Sequence, residues 1–180
     1  MLQPPEVFGG SRVQLRRSTA ADYAAVFPVV TDPEVMYYMD WKTHASIDET
    51  RQFFAGVAER WDSGEDFHWI VQTLSDKRFL GSISCRIAGH AADFGYLFAS
   101  AAWGCGYASE AVALLVGWLK AQPEVLRIWA TTDIENVRSQ RVLERAGLLK
   151  EGTLRMATYR PQIGGLPRDK NVYALVKTIS

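Results

Sequence analysis

The run Trp103-Gly104-Cys105-Gly106-Tyr107-Ala108-Ser109-Glu110-Ala111 joins a glycine-rich turn to the start of a helix. Apolar residues then recur at Ala111, Leu114, Leu115, Trp118 and Leu119, the i, i+3, i+4, i+7, i+8 spacing of a helix with one buried face. Just upstream, Phe94-Gly95-Tyr96-Leu97-Phe98 reads as a buried strand. Strand, small-residue turn and helix start together build an anion pocket. The first N–H groups of a helix have no internal partner, and its dipole favours negative charge there. Gly104 and Gly106 carry no Cβ, so a phosphate can come close to the main chain. The chemistry implied is capture of a phosphorylated ligand by the amides of Trp103, Gly104, Cys105, Gly106, Tyr107, Ala108 and Ser109. Two common phosphate loops are excluded. A nucleoside-triphosphate loop needs a Lys that the run lacks, and a dinucleotide fingerprint needs a third glycine where Ser109 stands.

A second run follows: Asn136-Val137-Arg138-Ser139-Gln140-Arg141-Val142-Leu143-Glu144-Arg145-Ala146-Gly147-Leu148. Asn136 can cap a short helix with Val142, Leu143 and Ala146 turned inward, and Gly147 can end it. Together the two runs resemble the GNAT superfamily of acetyl-CoA-dependent N-acetyltransferases. Its pyrophosphate loop has the form [QR]-x-x-G-x-[AG], matched by Gly106 and Ala108, with Trp103 where Gln or Arg is usual. W-G-x-G-Y-A-x-E-A and Asn-x-x-Ser…Leu-Glu-Arg-x-Gly are similar to the RimJ/RimL-like branch, which acetylates ribosomal-protein N-termini. Glu151-Gly152-Thr153-Leu154-Arg155 continues that pattern, and the resemblance runs from about Val13 to Val176.

The resemblance implies acetyl-CoA as co-substrate, with no metal. It implies main-chain groups near Leu97, Phe98 and Ala99 holding the pantetheine arm, and the amides of Trp103 to Ser109 receiving the pyrophosphate. Asn136 then matches a side-chain contact to pantetheine, beside its plain reading as a helix cap. Many members carry a tyrosine seven residues after this Asn, acting as general acid toward the departing thiolate. Here that position is Leu143, which has no proton to give. In RimL-like enzymes the serine three residues after the Asn has that task, and Ser139 matches it. A hydroxyl is a poor acid at neutral pH, so Ser139 is expected to donate a hydrogen bond or order a water. Its alternative is a helix-start hydroxyl bonded to local backbone.

Acetyl transfer also requires a neutral amine. Asp93, Glu110, His68 and His90 are possible bases by type, and spacing singles out none. Asp93 stands where the family often has an acid and is the catalytic candidate beside Ser139. Glu110 suits the first turn of its helix as a dipole partner and is read as structural. An α-amine has a pKa of about 7.7–8.0 and a lysine amine about 10.4, so a site without a strong base suits α-amines. The reading is therefore an N-acetyltransferase acting by direct attack on the α-amine of a protein or peptide. A small-molecule amine (polyamine, amino acid or antibiotic) and a non-catalytic CoA-binding module are the alternatives. Trp41, Trp61 and Trp69 can line an acceptor groove, with core packing the expected use of two of them.

The elements that must position these residues follow the same order. A chain of 180 residues with 48% hydrophobic and 22% charged content has the make-up of one globular domain. Twenty basic residues balance twenty acidic ones, which gives no electrostatic reason to expect nucleic acid or an anionic membrane as partner. Two cysteines, no signal-like start and no long apolar run predict a soluble cytoplasmic protein, with monomer and homodimer both left open. Residues 1–10, with Pro-Pro and Gly-Gly pairs, read as a loose arm before a single domain over 11–180. Strands are expected at Val13–Arg17, Phe67–Leu74, Phe79–Ile87, Ala92–Phe98, Val125–Thr132, Leu148–Met156 and Asn171–Thr178. A first helix runs from the Thr19 cap to Phe27, and a second follows the Ser46/Glu49 capping box through Trp61. The strand–helix–strand around Leu115 predicts a parallel pair. The fold class is α/β: a mixed, mostly antiparallel twisted sheet with helices on both faces, its two central parallel strands splayed as the resemblance implies.

Overall fold

The computed structural model describes residues 2–177. In chain order the elements are β1 (Val7–Gly9), β2 (Val13–Arg17), α1 (Tyr23–Val30), α2 (Pro33–Met36), α3 (Ile47–Ala55), α4 (Val57–Ser63), β3 (Phe67–Thr73), β4 (Phe79–Ala88), β5 (Ala91–Phe98), α5 (Tyr107–Ala121), β6 (Arg127–Asp133), α6 (Val137–Arg145), β7 (Leu149–Thr158) and β8 (Arg168–Val176). The strands form one eight-stranded sheet in the order β1-β2-β3-β4-β5-β6-β8-β7. Among the described residues only β5 and β6 pair in parallel, joined by the crossover through α5. Every other neighbour is antiparallel.

Period-two alternation decides which face each residue serves. Ala92, Phe94 and Phe98 of β5, Ile83 and Cys85 of β4 and Trp69 of β3 pack against Ala111, Val112, Leu115 and Leu119 of α5. The opposite face packs Ile70 and Leu97 against Val26 and Val30 of α1 and Phe54 of α3. Helices therefore cover both faces. Trp61 and Trp69 are core residues, 3% and 0% exposed, whereas Trp41 lines a cleft.

Three expectations change. The supposed loose arm supplies β1, whose Phe8 pairs with Leu15, and the Pro5 carbonyl accepts from Trp69 Nε1 at 3.1 Å. A register-compatible partner strand and a buried indole in need of an acceptor outweigh the flexibility suggested by its prolines and glycines. The second helix is two helices, α3 and α4, broken at Gly56 (φ −95°, ψ 0°). The first begins later, at Tyr23, because Ala20–Asp22 forms a separate 3₁₀ turn. Thr178, the expected end of the last strand, lies outside the described residues.

Candidate active site

The site begins where the pairing of β5 and β6 stops. The two strands are joined only at Ala91–Arg127, Ala92–Ile128 and Asp93–Trp129. Beyond that point β5 stays with β4 as far as the Gly81–Phe98 pair, and β6 stays with β8 as far as Asp133–Lys170. A wedge opens between them. Main-chain groups point alternately to either side of a strand. The Ala99 N–H donates to the Leu80 carbonyl at 2.9 Å on the β4 side, so Tyr96 and Phe98 turn theirs toward the wedge. Of the three residues expected to hold an extended arm, only Phe98 presents its main chain there. Ala99 is already bonded to β4 and does not line the cleft, whereas Tyr96, Leu97 and Phe98 do.

At the wide end, Trp103 to Ser109 lead into α5. Among the described residues the N–H groups from Gly104 to Ser109 have no main-chain acceptor; the first in the helix that does is Glu110, bonded to the Gly106 carbonyl. Gly104 and Gly106 have φ of 74° and 79°, left-handed values that a side chain would strain. A Cβ on Gly106 would also lie 3.2 Å from Arg12 Nη2. Trp103, Gly104, Gly106, Ala108 and Ser109 line the cleft, whereas Cys105 and Tyr107 do not. Those two meet Arg12 instead: Nη1 donates to the Cys105 carbonyl at 2.9 Å, and the guanidinium lies over the Tyr107 ring. Glu110 anchors the loop from behind. It accepts from the N–H of Arg12 and Val13, the Ser11 hydroxyl and Arg12 Nε. Partial burial favours its neutral acid, but these donors prevail and hold the carboxyl below its ordinary range. Bare amides, a glycine cradle and positive helix polarity fit a diphosphate.

Across the wedge stands the start of α6. Asn136 Oδ1 accepts from the Ser139 N–H at 3.1 Å, which makes it a cap. Its amide nitrogen has no acceptor among the described residues, and the residue lines the cleft. Ser139 Oγ lies 2.8 Å from the Tyr96 hydroxyl, which is also 3.2 Å from the Ser139 carbonyl. Burial pushes the Tyr96 phenol up to about 12, against the lowering effect of the Ser139 contact, so it stays protonated. Leu143 is fully buried in the core. The phenol beside Ser139 therefore comes from β5, not from α6. Sequence reading passed over Tyr96 because it shares a face with Phe94 and Phe98 and reads as core.

The other end of the cleft is built of side chains. Asp93 sits at the closed root of the wedge, where Arg86 Nε and Nη2 reach its Oδ2 at 3.1 and 2.5 Å. Asp66, half-buried, has its carboxyl raised by burial, against the attraction of Arg86 and Arg60. His68 is buried, its Nδ1 2.6 Å from Ser18 Oγ and its ring edge-on to Phe54. Burial, with Arg60 nearby, lowers its pKa to about 4, so the imidazole is neutral at neutral pH. His90 is exposed in the β4–β5 turn and lines no part of the cleft. Tyr37, Tyr38, Trp41 and His44 form the outer wall. That wall is clamped from the β7–β8 connection: Arg160 pairs with the equally buried Asp133, reaches Glu135 at 3.0 Å, and lies against both tyrosine rings. Gln162 Nε2 donates to the Trp41 carbonyl, and Lys170 reaches Asp40. The two ends form one cleft of about 1740 Å³, larger than the roughly 300–1,000 Å³ typical for one small ligand. Among the described residues, no cluster of three or more His, Cys, Asp or Glu could hold a metal, and no helix is long and apolar enough to cross a membrane.

Comparison with known proteins agrees with this geometry. Residues 12–149 match the acetyltransferase (GNAT) domain family. A probable N-acetyltransferase of Bacillus subtilis, YjcK, is 33% identical over 73% of each chain. The uncharacterized N-acetyltransferase YoaA of the same organism is 28% identical over 92% of this chain and 94% of its own. Among solved structures, RimL, a ribosomal L7/L12 alpha-N-protein acetyltransferase in complex with coenzyme A, superposes with a TM-score of 0.83. It is 20% identical, with 95% of this chain and 98% of that one covered. The chain belongs to the GNAT acetyltransferase family, and the protein is a GNAT N-acetyltransferase.

Proposed function

We propose that the enzyme transfers the acetyl group of acetyl-CoA directly to the N-terminal α-amine of a protein or peptide. The observation that carries the choice of amine is the state of the groups at the acceptor end. His68 is neutral and far too weak a base for a lysine ammonium, and Asp93 is tied to Arg86. Near pH 7.5 about a third of α-amines are already neutral, against on the order of one lysine in a thousand. Carboxylates at Asp66 and Asp93 then suffice to attract the ammonium form and take its proton through water. RimL, which shares the fold, acts on an α-amine.

Bound acetyl-CoA supplies a thioester, whose C–S bond breaks as the amine nitrogen bonds to the carbonyl carbon. The amides of Gly104, Gly106, Ala108 and Ser109 hold the diphosphate, and the main chain of Tyr96 and Phe98 aligns the pantetheine arm. The Asn136 amide nitrogen donates to that arm while its oxygen caps α6. Ser139 donates a hydrogen bond to the departing thiolate, and Tyr96, kept protonated by burial, donates in turn to Ser139 Oγ. A thiolate of pKa about 8.5 needs no stronger acid.

Thiol release from acetyl-CoA across peptides with free N-termini, N-terminally blocked peptides bearing lysine, and small amines tests the proposal. Turnover is expected with free N-termini and not with blocked lysine peptides. Preferential turnover of a polyamine, amino acid or antibiotic would replace the acceptor. No thiol release across the panel despite tight binding would replace catalysis by a sensing role.

A further inference from the structure

Helix α6 edges the cleft with three arginines, Arg138, Arg141 and Arg145. Offsets of three and seven residues put them on one side of the helix, spread over about 10 Å at roughly 1.5 Å per residue. No carboxylate among the described residues pairs with any of them. Their isolation is local, since the chain has as many acids as bases. Of the cleft's other two arginines, Arg86 has its Asp93, and Arg60 donates to the Phe53 carbonyl and lies over the Phe53 ring.

Arg138 also answers a departure in the loop. Where related loops begin with Gln or Arg, this chain has Trp103, and the Arg138 guanidinium lies 4.6 Å from the centroid of its ring. The aromatic face fixes the cation at the edge of the row of bare amides. The charge missing from the loop arrives from α6. Arg141 and Arg145 continue the row one and two turns farther along the helix. Two more free guanidiniums call for a second anionic group on the same ligand, and planar forks of this kind suit a phosphate monoester.

Coenzyme A carries such a group on its ribose 3′ oxygen, on the nucleoside side of the diphosphate. We propose that Arg141 and Arg145 form a binding site for this 3′-phosphate, with Arg138 bridging to the diphosphate, so that the enzyme selects CoA over its 3′-dephospho form. The inference rests on the cofactor reading above and concerns a part of the ligand that takes no part in acetyl transfer.

Calorimetry on the full chain with CoA and with 3′-dephospho-CoA tests it. Dephospho-CoA is expected to bind about 30-fold more weakly, as two charge-assisted contacts would give. The Arg141→Gln/Arg145→Gln double variant should bring CoA down to the dephospho level while dephospho-CoA keeps its affinity. Equal affinity of the unaltered protein for the two ligands would overturn the site and leave the cofactor reading standing. A variant that loses both ligands in parallel would likewise overturn it, showing a diffuse field rather than a site. Binding of neither ligand by folded protein would remove the cofactor reading itself.

Discussion

The two ends of the cleft are made of different material. At the end proposed to hold phosphate, the groups offered to the cleft are main-chain amides from one continuous stretch, β5 through the first turn of α5. At the acceptor end they are side chains from α2, the α2–α3 loop, β3, β4 and β5, held by the β7–β8 connection. A main-chain site depends on backbone conformation and tolerates changes of side chain, as Cys105 facing away from the cleft illustrates. A side-chain site depends on the packing of distant segments, so the same scaffold can change its acceptor while keeping its cofactor.

The largest expected effect breaks the first end alone. Gly106→Glu places a Cβ at φ 79° and a carboxylate among the amides meant for a diphosphate. Affinity for acetyl-CoA should fall by at least ~1,000-fold, or about 4 kcal/mol. Melting temperature should fall only modestly, since one left-handed residue costs roughly 1–2 kcal/mol. Calorimetry and thermal melts separate the two. Retained binding would show that the phosphate is held elsewhere.

Next comes a break at the second end. Arg160→Ala leaves the Asp133 carboxylate buried at 1% exposure without its charged partner and strips the cation from Tyr37 and Tyr38. Removing one member of such a pair costs about 3–5 kcal/mol. Urea unfolding should record a loss of that size, and the folded fraction should still bind CoA. Loss of CoA binding in folded protein would mean that the ends are not independent.

These contrasts explain what could be read in advance. The wedge-side helix, its glycine turn and the Asn136 cap are local patterns, so residue spacing alone placed them, and the resemblance supplied the splay. The acceptor end had no such pattern. Arg160 and Asp133 are 27 positions apart, and no periodicity links them. The β1 strand was missed because its partner, not its own composition, orders it. Gly56 ends one helix and starts another with apolar spacing that runs on through the break. Arg138, Arg141 and Arg145 share a helix side by spacing, but only the structure shows them lining the cleft with no carboxylate partner among the described residues.

A smaller effect, in stability against pH, probes the wall between the ends. Folding depresses the His68 pKa from 6.5 to about 4. The unfolded chain therefore binds more protons across that window. Stability from this group is complete above about pH 6.5 and is lost as pH falls toward 4, by roughly 3 kcal/mol. His68→Gln should flatten that part of the curve in urea titrations at pH 7 and pH 4.5. An unchanged slope would assign acid sensitivity to other groups.

The smallest expected change concerns the point where the two ends meet. Tyr96→Phe keeps the aromatic contacts with Phe94 and Phe98 and deletes only the hydroxyl 2.8 Å from Ser139. CoA affinity should be unaltered and kcat about tenfold lower, near 1.4 kcal/mol. Ser139→Ala should slow turnover similarly, and the double variant little further, because a proton relay is lost once. A purely structural hydroxyl would instead change stability and KM, with additive effects. The decisive measurement varies the leaving group. With an acetyl thioester of a more acidic thiol, which departs without proton assistance, the deficit of both variants should shrink together. A deficit that stays constant for the acidic thiol would place Tyr96 and Ser139 outside the proton path and leave Asn136 and the strand amides to position the thioester unaided.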